Sequence, residues 1–141
     1  MKINSIICCE SIITDLETKG TSLFNIIERI SIQSFPFFLP KFSIFISSEN
    51  DDLGKIEGQL KVSNNNRQLY LGKVIFNFYE RNITRNIIRF NGLVIPEAGT
   101  LMIEIIHENV VLKTHIIGLE SFNNNQPVVD VQIPTEPTAN I

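Results

Sequence analysis

Apolar residues recur at every second position along most of this chain. Leu101, Ile103 and Ile105 are separated by Met102, Glu104 and Ile106, and Phe42, Ile44 and Ile46 by Ser43, Phe45 and Ser47. A two-residue period sends successive side chains to opposite faces of a strand. No window of a dozen residues carries the 3.6-residue stripe of an amphipathic helix. Polar clusters rich in Gly, Pro, Asn and Asp interrupt the runs: Glu49 to Gly54 (ENDDLG), Asn64 to Asn66, and Pro96 to Gly99 (PEAG). Turn signals at intervals of roughly 8 to 12 residues predict an all-β chain built as an antiparallel sandwich or barrel.

The expected strands are Lys2 to Glu10, Ser22 to Ile32 with a kink, Phe42 to Ser48, Gly58 to Ser63, Gln68 to Tyr79, Asn86 to Ile95, Thr100 to His107 and Val110 to Gly118. The last two form the most legible hairpin. A two-residue turn at Glu108 and Asn109 sets His107 against Val110, Ile105 against Leu112, Glu104 against Lys113 and Leu101 against Ile116, with His115 on the outer face. In the strand from Gln68 the alternation changes phase between Leu71 and Val74, which predicts a bulge near Gly72. SFPFFLPKFSIFIS, Ser34 to Ser47, reads as a crossing between strands whose phenylalanines fill the core. Phe45 is the exception, because it falls on the polar face of its strand.

With 141 residues the chain fits one domain, expected at residues 1–120. Residues 121–141 form an extension. Within it Val129, Val131 and Ile133 alternate with Asp130 and Gln132, an edge strand over 128–133 bracketed by Pro127 and Pro134. A 43% apolar composition with 19% charged residues predicts a filled core. The net charge of −3 gives no general attraction to nucleic acid or anionic membrane, so neither is an expected partner. The opening MKINSIICCESIITDLE, broken by Glu10, does not read as a signal peptide. The expected location is the cytoplasm, with Cys8 and Cys9 reduced.

Chemistry-bearing motifs are sparse. Cys8 and Cys9 are neighbours whose side chains diverge on a strand, one buried and one partly exposed, and His107 and His115 do not converge. No His/Cys spacing suits zinc, and no GxSxG elbow or glycine-rich phosphate loop occurs. Glu49, Asp51 and Asp52 are too few and too local for calcium. The expectation is therefore a non-enzyme with no catalytic residue, no metal and no cofactor. Arg81, Arg85 and Arg89, joined by Arg67, are the one basic concentration, suited to gripping carboxylates or phosphates of an acidic partner.

Several ordered elements carry a resemblance. Cys9-Glu10 closes the first strand, SLFNII (Ser22 to Ile27) follows a Lys19-Gly20 turn, and FPFFLP (Phe35 to Pro40) precedes an alternating strand. PEAGT (Pro96 to Thr100) then opens the last hairpin. In this pattern the chain resembles an uncharacterised family of small prokaryotic single-domain β-sandwich proteins, although Asn25 stands where that family often has Gly. The resemblance implies an all-β, immunoglobulin-like two-sheet antiparallel sandwich of about seven to nine strands and brings no activity. The expected function is protein interaction or assembly through sheet edges, loops or the C-terminal strand. The partner is a protein, a second copy of the chain included, and Arg67, Arg81, Arg85, Phe45, Val129, Val131 and Ile133 are the candidate contacts. The alternative is a small-ligand or carbohydrate-binding sandwich.

Overall fold

The alternating runs become eleven strands, with no helix, in a computed structural model that describes residues 1–122. One sheet holds β1 (Lys2–Thr14), β2 (Thr21–Ile26), β5 (Phe42–Glu49) and β8 (Ile83–Phe90) in the order β2-β1-β5-β8. The other holds β3 (Arg29–Ile32), β6 (Lys55–Asn64), β7 (Arg67–Asn77), β10 (Gly99–His107) and β11 (Val110–Ser121) in the order β3-β11-β10-β6-β7. β4 (Phe37–Leu39) and β9 (Leu93–Ile95) make a small third sheet. All ladders are antiparallel except β3 with β11.

Inward residues of the two large sheets share one core. Ile6, Ile44 and Ile46 come from the first sheet, and Leu60, Val62, Phe76, Leu101 and Ile103 from the second. Each such side chain contributes roughly 1.5–3 kcal/mol when fully buried. The arrangement is in keeping with a β-sandwich.

Three differences from the expected strands account for the larger strand number. The kink expected within Ser22 to Ile32 is a change of sheet: β2 ends at Ile26, Ile27 donates to the carbonyl of Cys8 at 2.7 Å, and β3 begins at Arg29 beside β11. The run Asn86 to Ile95 breaks at Gly92, which adopts φ of 119°. Phe37–Leu39, read as part of a crossing, pairs with Leu93–Ile95. The expected strand over 128–133 lies outside the described residues.

The hairpin of β10 and β11 turns at Glu108 and Asn109, both in the left-handed region, and His107 faces Val110 as expected. Below the tip a bulge leaves Leu112 unpaired, so Ile105 faces Lys113, Glu104 faces Thr114 and Leu101 faces Ile117. The Glu104–Lys113 pair is therefore not formed. One inserted residue exchanges the faces of β11: Ile117 and Leu119 enter the core, Ile116 is exposed, and His115 sits opposite buried Ile103, not on the outer face.

The bulge in β7 is also displaced. The ladder to β6 runs without a break from Tyr70 to Asn77, and the extra residue is Leu69. Gly72 has another role, because the ring of Tyr70 lies over it and meets Phe90 edge-on at 5.0 Å.

Candidate functional site

Beyond Cys9, β1 leaves β5 and continues with β2 as a hairpin that folds across the outer face of its own sheet. Ser43 Oγ donates to the carbonyl of Glu10, Arg89 reaches the carbonyl of Ile12 at 3.0 Å, and Arg85 reaches Thr21 Oγ1 at 3.4 Å. Cys9, opposite Ser43, is consequently buried, and Cys8, opposite Ile44, is buried in the shared core, which corrects the expectation that one would be partly exposed. Burial, and then the neighbouring Cys9, push the Cys8 thiol up to about 12. The same hairpin explains Phe45. Its ring is half-buried in a cavity of about 420 Å³ shared with Leu23, Thr21, Ser47 and Arg85, so β2 covers it.

The turn of this hairpin forms one wall of a larger groove. Asp15 organises the turn by accepting from the backbone N–H of Glu17 and Thr18 at 2.8 and 3.1 Å, which holds its carboxyl below the usual range. Lys19 follows with φ of 63° and lines the groove. The opposite wall is the connection between β7 and β8. Asn82 clamps that connection to the neighbouring loop by donating to the carbonyls of Asn50 and Asp51 at 2.8 and 2.9 Å. Asn77 Oδ1 accepts from the N–H of Tyr79 at 3.0 Å and presents the exposed Tyr79 ring.

The groove encloses about 1260 Å³ and is lined by Lys19, Tyr79, Glu80, Arg81, Thr84 and Arg85 among others. Among the described residues none of its three cations makes an ion pair. Arg81 and Arg85 thus come together, and Arg89 follows on β8. Arg67 does not join them: it begins β7 beside Asn64, ten positions from Asn77, at the other end of the sheet. Lys19 and Tyr79 were missed by the reading of sequence, which sought clusters within one segment. Their proximity depends on the fold of the hairpin.

A second feature is an open sheet edge. β10 accompanies β11 down to Leu119, but on the other side β3 pairs only with Gly118–Ser121. Of the 12 residues of β11 this leaves eight, Val110–Ile117, without a strand on that side among the described residues. Val110, Val111 and Ile116 are exposed there. Val129, Val131 and Ile133 lie outside the described residues. Among those described, no three His, Cys, Asp or Glu side chains are grouped to hold a metal, and no helix is long and apolar enough to cross a membrane.

These features define an all-β chain with two large sheets over one core, a turn groove and an open edge. Compared with protein-family models and with curated protein sequences, the chain matches none.

Proposed function

We propose that this chain is a non-enzymatic, cytoplasmic protein-interaction module of immunoglobulin-like architecture, as in the prokaryotic family it resembles. It accepts an extended segment of a protein partner along Val110–Ile117 of β11. The observation that carries this reading is the one-sided ladder of that stretch. An unpaired strand edge supplies main-chain donors and acceptors to an added strand, and needs no special side-chain signature.

The other edges are less suitable. β3 is four residues long, and β2 is distorted by Asn25 at φ of 54°. β7 and β8 are linked by Asn86, which donates to the carbonyl of Ile75 at 2.7 Å. On the β11 edge Lys113 stands opposite Ile105, a placement that opposes indiscriminate pairing and selects an incoming strand with an acidic residue among apolar ones. Asp130 between Val129 and Val131 has that pattern, so a second copy is the first partner to test.

The experiment is hydrogen exchange of the full chain with and without a synthetic PVVDVQIP peptide, residues 127–134. Protection gained at Val110–Ile117 supports the reading. Protection gained only at other edges, or nowhere together with a mass independent of concentration, removes it.

The second reading, a small-ligand or carbohydrate-binding sandwich, is favoured by the groove, where an exposed aromatic ring stands among amide, hydroxyl and cationic side chains.

A further inference from the structure

We propose that the groove between the β1–β2 turn and the β7–β8 connection binds a small polyhydroxylated anion, a sugar acid or sugar phosphate. Lys19, Arg81 and Arg85 hold its anionic group, and Tyr79 and Asn77 contact its body. This rests on the second reading and adds the class of ligand.

Three cations reach the groove from separate places in the chain: Lys19 from the β1–β2 turn, Arg81 from the β7–β8 connection and Arg85 from β8. Among the described residues only Glu80 opposes them in the lining. A guanidinium presents a planar fork that matches carboxylate and phosphate oxygens, and the ammonium of Lys19 adds a rotatable point charge. Among the described residues the Arg85 guanidinium makes no ion pair and its one hydrogen bond is the 3.4 Å approach to Thr21 Oγ1, so donors of its fork remain available. Asp15 does not compete, since its carboxylate is bound to its own turn.

Neutral groups supply the rest of the recognition. Asn77 uses its Oδ1 on the backbone, which leaves its amide N–H groups for a hydroxyl. The exposed ring of Tyr79 offers an apolar face ending in a hydroxyl, suited to a body with C–H and O–H surfaces. The walls are fixed before binding by the Asn82 clamp and the Asp15 turn, so little ordering cost falls on the ligand.

Size and charge distribution argue against a long polyanion. Asp51 and Asp52 are exposed on the loop clamped by Asn82, and Glu17 is exposed in the same turn as Lys19. A nucleic-acid strand leaving the groove meets these carboxylates, whereas a compact anion stays among the three cations.

The test is an NMR titration of the full chain with glucuronate, glucose 6-phosphate, glucose and inorganic phosphate in separate arms. The first two should shift amides of Thr18–Lys19 and Tyr79–Arg85, with one or both binding at least about tenfold more tightly than glucose and inorganic phosphate. Their relative affinity distinguishes carboxylate from phosphate. R81A and R85A should each weaken the preferred anion by about tenfold while leaving the remaining spectrum unchanged. Glucose binding equally well would overturn the anionic inference and leave the small-ligand reading standing. Inorganic phosphate binding as tightly as the sugar anions would overturn the role of the polyhydroxylated body. Absence of shifts in every arm would overturn both the inference and the carbohydrate reading.

Discussion

The side-chain amide of Asn64 is the mould for the backbone of Glu97. Asn64 is fully buried at the end of β6; its Nδ2 donates to the carbonyl of Glu97 at 3.0 Å, and its Oδ1 accepts from the N–H of Glu97 at 2.9 Å. The same Nδ2 donates to the carbonyl of Thr100 at 3.0 Å. One side chain thereby satisfies both backbone groups of Glu97 in the PEAG turn and shares the Thr100 carbonyl with the N–H of Asn65. Asn65 adds a second connection, accepting from the N–H of Thr100 at 2.9 Å and donating to the carbonyl of Ala98.

Replacing Asn64 by Ala should therefore cost about 2–4 kcal/mol, because the N–H and the carbonyl of Glu97 lose this partner at once and a buried side chain is truncated. N64D should cost more: it keeps the acceptor but turns a charged oxygen toward the two carbonyls. Urea unfolding of the full chain measures both. A loss below about 1 kcal/mol for N64A would show that water replaces the amide without penalty.

Backbone geometry at the β10–β11 turn was legible because two residues, Glu108 and Asn109, stand alone between alternating runs. The hairpin's register was not, since Leu112 is as apolar as its neighbours and nothing in VVLKTHII marks the inserted residue. The same limit applied at Leu69: the phase change was visible, but its position depended on which residue left the ladder. The sheet change at Ile27 could be sensed only as a kink, because β2 and β3 share one alternating run. For the candidate site, Arg81 and Arg85 were evident as neighbours in sequence. Lys19 and Tyr79 joined them through long-range folding of the β1–β2 hairpin, and Arg67 was separated by the length of β7.

His115 should give stability a specific pH dependence. Burial lowers its affinity for a proton, the carboxylate of Glu28 raises it and the ammonium of Lys113 lowers it, with a net downward shift. Nε2 is buried without a hydrogen-bond partner among the described residues. As pH falls below the ordinary value of about 6.5, the unfolded chain takes up a proton that the folded chain binds more weakly, so stability decreases. The loss is complete below the folded value and absent well above the ordinary one. Relative to H115Q, the melting temperature of the native protein should be constant near pH 8 and fall progressively on acidification through pH 6. Parallel curves over that range would contradict this account.

The two cysteines should be silent in the native state. Both side chains are buried, and burial raises both thiols, against which the Phe24 backbone hydrogen bond to Cys9 acts in the lowering direction. A raised pKa reduces the thiolate, and burial blocks access to it. Iodoacetamide at pH 8 should leave the folded chain unlabelled and add two groups after guanidinium unfolding, as read by mass spectrometry. Rapid labelling of Cys9 under native conditions would mean that the β1–β2 hairpin opens readily from its sheet, and rapid labelling of Cys8 that the core between the sheets opens.

Gly72 and Tyr70 should show a reversal of sign in a double-mutant cycle. A methyl at Gly72 would stand 2.0 Å from the Tyr70 hydroxyl oxygen, so G72A must rotate the ring away from Phe90. The edge-on aromatic contact is worth about 0.5–1.5 kcal/mol beyond its area burial. In the native background G72A should therefore destabilise by about 1 kcal/mol, despite the intrinsic preference for Ala over Gly within a strand. With Y70A the obstruction is absent, and the same substitution should be neutral or stabilise by up to about 1 kcal/mol. Equal effects of G72A in the two backgrounds, measured by urea unfolding, would show that Gly72 serves the strand itself and not the ring above it.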